Sequence, residues 1–170
     1  MRYSEDEVEK NIGIEVFLTN TNGIGGKLRA SPEDFYVEEI PIYPKKEEGG
    51  KYAVAKVISK NWEANKLLNI LSTTLKISRR KIYFAGTKDK RAIKSQLMVF
   101  EVDKEKLSAV KIKDIEIIPL YTTNKKIRIG ELIGNNFDVT IRDLDNPAIA
   151  EDRMIEITNE IMASNGFPNF

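Results

Sequence analysis

Between Asp34 and Lys60, hydrophobic and polar positions alternate in two stretches separated by the polar run KKEEGG. In DFYVEEI, Phe35, Val37 and Glu39 fall on one face and Tyr36 and Glu38 on the other, the period of two that a strand requires. KYAVAKVISK repeats that period, with Tyr52, Val54, Lys56 and Ile58 opposing Ala53, Ala55 and Val57. Because both of its faces are largely apolar, this second strand is expected to be central or half-buried. The period then lengthens. NWEANKLLNILSTTL brings Leu67, Ile70, Leu71 and Leu75 onto one helical stripe, with Asn61 as the expected N-cap.

Strand signals return in RKIYFAG, which stops at Gly86, and in SQLMVFEV, so TKDKRA between them is a strand-to-strand loop carrying Asp89. DIEIIPLY and NNFDVTIRDL predict further strands. A closing helix from about Pro147 aligns Ile149, Ile157 and Ile161, and proline suits its first turn. Five or six strands with hairpin-like connections and two main helices predict an α+β fold, a mixed, mostly antiparallel sheet with flanking helices. No repeat, low-complexity tract or linker interrupts the pattern, and 170 residues read as one unit.

Composition narrows the chemistry. Apolar residues at 41% and charged residues at 31% are ordinary for a globular chain, but histidine and cysteine are both absent. Thiolate nucleophiles, disulfides, zinc or iron–sulfur sites and serine–histidine pairs are thereby excluded within this chain. Catalysis would have to use carboxylate, Lys, Tyr, Ser/Thr or backbone groups, and no metal is expected. The polar N-terminal stretch MRYSEDEVEK and the lack of any long apolar run predict a soluble, cytoplasmic protein without a membrane partner.

The net charge of +1 hides an uneven distribution. Lys76 to Lys94 holds eight basic residues against the single acid Asp89, among them Arg79, Arg80, Lys81, Lys90 and Arg91. A second basic cluster, Lys125, Lys126 and Arg128, lies in NKKIRIG. Two such clusters can line a groove for a polyanion, or can simply keep a folded face solvated. Tyr83 and Phe84, inside the first cluster, suit base stacking and equally suit an alternating strand.

Two loops invite a chemical reading. GIGGK resembles a phosphate loop, but Thr21 stands where the first glycine belongs and Leu28 where Ser or Thr belongs, so a flexible turn is the better account. FAGTKDKRA places one carboxylate, Asp89, among Lys88, Lys90 and Arg91 after a glycine. Cations there could hold phosphates while Asp89 meets a sugar or base, and a turn role for Asp89 stays open beside it.

Four segments, in order, resemble the TruD family of tRNA pseudouridine synthases: LRASPEDFYVEE, FAGTKDKRA, IGNNF and SNGFPNF, with basic KKIRIG ahead of the third. The resemblance implies the pseudouridine-synthase catalytic-domain fold and isomerisation of a tRNA uridine, the family's target being uridine 13, without a cofactor. Asp89 matches the catalytic aspartate. Arg29 matches a basic position that could orient it, Lys88 precedes it in the motif, and Phe35, Phe137 and Asn135 match substrate-site residues. The alternatives are a surface cation for Arg29, core packing for Phe35 and Phe137, and a loop-holding amide for Asn135. The basic residues of both clusters are then expected to bind tRNA. The family continues past the last motif into the rest of the catalytic domain and an inserted domain. The resemblance therefore implies an N-terminal portion of the enzyme: truncated, completed by a separately encoded half, or a catalytically inactive RNA-binding module.

Overall fold

In the computed structural model, which describes residues 2–164 and Gly166, the two alternating stretches are strands β1 (Phe35–Pro41) and β2 (Tyr52–Lys60). Helix α1 (Ala64–Leu75) follows, then β3 (Ile82–Phe84), β4 (Ile93–Phe100), the short helix α2 (Lys104–Ser108), β5 (Ile115–Thr123) and β6 (Leu132–Val139). The sheet runs β5-β2-β4-β1-β6, with β3 also on β4. Only the β1/β4 pairing is parallel, and the α+β, mostly antiparallel architecture is as the alternation predicts.

The predicted central strand is β2, flanked by β4 and β5. Its two faces seed two cores. Ala53, Ala55 and Val57 pack with Met98 and Phe100 beneath Leu67, Leu68, Leu71 and Leu75 of α1, while Tyr52 and Val54 pack with Leu97, Val99 and Ile127 on the opposite face. β4 is buried along almost its whole length because it lies inside the sheet with a core on each face.

The helix starts later than its stripe suggests. Asn61 adopts a left-handed conformation with φ 57° and donates its backbone N–H to Ala92, turning the chain off the end of β2. The cap is Glu63, whose carboxylate accepts from the N–H groups of Asn65 and Lys66 at 2.9 and 3.0 Å. The closing helix shows a similar correction. Asn146 caps a 3-10 turn at Pro147–Ile149, and regular α-helix, α3, occupies Ala150–Ala163.

Leu28–Thr140 forms one compact unit, and Met1–Lys27 with Ile141–Phe170 forms a second. The divisions fall without a Pro/Ser-rich linker, so composition does not mark them. Within the second unit, Glu160 of α3 accepts from the Thr21 hydroxyl and from the backbone N–H groups of Asn20 and Thr21, and these bonds hold its carboxyl below the usual carboxylate range. The glycines of GIGGK serve backbone approach. A Cβ on Gly25 would lie 2.1 Å from an Asp145 carboxylate oxygen, and one on Gly26 2.8 Å from the Arg142 carbonyl oxygen. A carboxylate at that spot also repels a phosphate. Of the motif SNGFPNF, Asn165 and 167–170 lie outside the described residues. No helix of the described residues is long and apolar enough to cross a membrane.

Candidate active site

Sheet register determines which side chains can share a face. β1 and β6 pair Val37 with Phe137 and Glu39 with Asn135, while β1 and β4 pair Val37 with Lys94. Directly opposed residues project to the same side. Phe35, Val37, Glu39, Asn135, Phe137 and Lys94 therefore share one face, the one that α1 covers further along over β2 and β4. Over β1 the covering segment is the loop from Gly86 to Arg91, which carries the single acid of the basic run.

Arg29 links that loop to the sheet. Its backbone is left-handed, with φ 53°, which sends the side chain back over β1. The guanidinium lies 3.9 Å from the centroid of the Phe35 ring, and Nη2 donates to Asp89 Oδ2 at 2.6 Å. Phe35 meets Phe137 edge-on, with centroids 5.9 Å apart at 67°. They are diagonal neighbours across the β1/β6 pair, within the reach of aromatic side chains. Asp89 remains 65% exposed and Phe137 60%, so an ionisable oxygen and an aromatic surface stand open to solvent beside one another's anchors. Asn135, also exposed, lies two positions along β6 from Phe137.

Lys88 takes the opposite direction. Its side chain is 4% exposed and its ammonium is 2.9 Å from Glu39 Oε2, on a carboxylate that is fully buried. Glu39 Oε1 accepts the Leu97 N–H at 3.2 Å. That N–H lies between the stretches of β4 paired to β1 and to β3, so the side chain fills a gap in the ladder. Lys94, 2% exposed, donates to the Trp62 carbonyl, and burial pushes its pKa below the ordinary lysine value against the attraction of Glu63 and Asp89. Glu39 is legible as a charged residue at an inward position of an alternating strand, a signal that motif matching passes over, whereas Lys94 lies just before the predicted strand SQLMVFEV and β4 is buried on both faces, so no alternation marks it.

The basic residues divide. Lys90 and Arg91 are exposed in the loop itself. Arg79, Arg80 and Lys81 form an exposed 3-10 turn leading into β3, where Arg79 donates to Asn65 and Lys81 pairs with Glu101. Lys126 sits over the Tyr83 ring at 4.7 Å, on the face opposite Asp89, and the segment bearing Lys125, Lys126 and Arg128 reaches the root of the loop where Gly130 N–H donates to the Ala85 carbonyl. β3 thus has one cluster at its start and the other alongside it. Among the described residues no three His, Cys, Asp or Glu side chains cluster so as to hold a metal.

Comparison with known proteins identifies the family. The family profile for tRNA pseudouridine synthase D (TruD) matches residues 11–170. The chain belongs to the TruD family. It is 41% identical over 168 residues to the Methanosarcina barkeri protein named "Probable tRNA pseudouridine synthase D", covering 96% of this chain and 38% of that protein. The correspondingly named Methanococcoides burtonii protein is 42% identical over 167 residues, with 96% of this chain and 37% of that one covered. A Methanosarcina mazei crystal structure carrying the TruD name superposes with a TM-score of 0.90 at 39% identity, covering 97% of this chain and 38% of that chain. The chain thus spans a little over a third of the length of these TruD relatives.

Proposed function

We propose that this chain carries the catalytic aspartate of a TruD-type tRNA pseudouridine synthase, with Asp89 in that role. The observation that carries the reading is the exposed Asp89 carboxylate of the GTKD loop, held by an Arg29 guanidinium that itself stacks on the Phe35 ring. The reaction breaks the N1–C1′ bond of a uridine, turns the uracil and rejoins it through C5. It needs one well-placed carboxylate and a pocket that retains the detached ring, with no cofactor. Phe137 offers an exposed face to a flipped base, and Asn135 supplies both a donor and an acceptor suited to a uracil edge. Extruding the uridine costs a few kcal/mol of unstacking. Phosphate contacts from Lys90, Arg91, Arg79, Arg80, Lys81, Lys125, Lys126 and Arg128 would offset that cost. Uridine 13 is the target to examine first.

Incubating the chain with unmodified tRNA and mapping pseudouridine tests the reading, first alone and then with the remaining segments of a full-length relative added. Product in either condition that vanishes with Asp89→Asn supports it. Equal product from both proteins overturns the role of Asp89. The two basic clusters carry an RNA-binding module as the second reading. Salt-sensitive tRNA binding without turnover in either condition would favour it.

A further inference from the structure

Lys88 and Asp89 are consecutive, and in this loop they face opposite ways. The Lys88 side chain is sealed from solvent on a fully buried Glu39, while the Asp89 side chain is 65% exposed. The inward anchor has parts on three elements. Glu39 belongs to β1 and holds Lys88 with one oxygen and the Leu97 N–H of β4 with the other. A Cβ at Gly86, at the loop's start, would meet Lys88 Nζ at 3.4 Å and both Glu39 Oε2 and Leu132 Cδ2 at 3.8 Å, ordinary contact distances that put the loop's root against the buried pair.

A buried ion pair is a poor device for stability, because the cost of removing two charges from water offsets much of their attraction, and apolar replacements of both partners are often as stable. It is a good device for fixing geometry, because neither partner can leave without stranding the other in a dry interior. Here the fixed geometry is that of the peptide joining Lys88 to Asp89. Arg29 then restrains the carboxylate from the outer side.

We infer that Glu39 and Lys88 are positioning residues for Asp89: the buried pair fixes the loop backbone so that the adjacent carboxylate projects to the substrate side. Lys88 acts through this anchor and makes no contact with the substrate. The inference rests on the proposed role of Asp89.

Its test compares Glu39→Gln, Lys88→Met and the double variant, which removes both charges while keeping an amide oxygen for the Leu97 N–H. Each single variant loses thermal stability, Lys88→Met more because it strands a buried carboxylate. The double variant recovers Tm toward wild type, yet its kcat for pseudouridine formation stays about 10²-fold down with KM within about twofold, the scale of a misplaced reacting group. A double variant that recovers both Tm and wild-type kcat would show a merely structural pair and overturn the inference.

Amide exchange by mass spectrometry supplies a readout independent of turnover. Positioning predicts exchange about tenfold faster in the Gly86–Arg91 loop of the double variant, with α1 unchanged. An unchanged loop, or a loop and α1 loosened together, overturns it. If wild type forms no pseudouridine even with the rest of a relative supplied, the functional reading fails, and the exchange result alone decides whether the pair holds the loop.

Discussion

Two cations lie over two aromatic pairs on opposite faces of the same sheet, and only one arrangement makes a candidate site. On one face Arg29 covers Phe35, which meets Phe137 edge-on at 5.9 Å. On the other, Lys126 covers Tyr83 at 4.7 Å, and Tyr83 meets Tyr52 edge-on at 5.8 Å. The geometries are close, but the surroundings differ. Tyr52 is 7% exposed and belongs to the core around Val54 and Val99, and Lys126 is drawn to the tyrosines strongly enough to raise its pKa, chiefly through Tyr83. Phe137 is open, and the guanidinium above Phe35 continues to an exposed carboxylate. A cation over a ring makes a candidate catalytic site only where it joins a solvent-facing ring to a reactive oxygen.

The strongest way to break the contrast is Asp89→Asn, expected to lower pseudouridine formation by roughly 10²–10⁴-fold in single-turnover assays. Its Tm should hold, because exposed ion pairs contribute little to stability. Next is Arg29→Lys, which keeps the charge and loses the planar stack on Phe35. We expect kcat about tenfold lower with tRNA affinity nearly unchanged, and a wild-type rate would show that any cation suffices. On the opposite face, Tyr83→Leu should cost about 1 kcal/mol in urea unfolding while turnover stays within about twofold. A large loss of turnover would make the two faces functionally equivalent.

The smallest effect concerns Lys94, buried beneath the site near Lys88, Asp89 and Glu63, with a pKa lowered mainly by desolvation. A lysine whose folded pKa lies below its unfolded value binds fewer protons when folded, so its contribution to stability improves as pH rises through the window between the two values. The unfolding free energy of wild type relative to Lys94→Met should therefore shift in favour of wild type as pH approaches the ordinary lysine value of 10.5, measured by urea melts at successive pH. A flat difference would mean that Lys94 is not buried as a charged group.

Period-two alternation makes β1 and β2 legible and places Phe35, Val37 and Glu39 on one face. It also located Asp89 in a strand-to-strand loop. The start of α1 was hidden because Asn61, an apt cap by type, is used to turn the chain in the left-handed region, leaving Glu63 to cap. The direction of Lys88 was hidden for a different reason. A lysine beside an aspartate in a basic loop reads as a phosphate contact unless its partner is known, and Glu39 lies 49 positions away. Proximity in sequence grouped Lys88 with Lys90 and Arg91, whereas folding separates them by solvent exposure.

The opposed directions of Lys88 and Asp89 bear on how this loop tolerates change in length. Substitutions at exposed Thr87 or Lys90 leave the inward and outward positions in phase. Deleting Thr87 would bring the pair one step closer to Gly86, so that either Lys88 abandons Glu39 or Asp89 rotates toward the sheet. The segment is therefore tolerant of replacement at its surface positions and intolerant of a single-residue slip, like a word whose letters can vary but whose reading frame cannot.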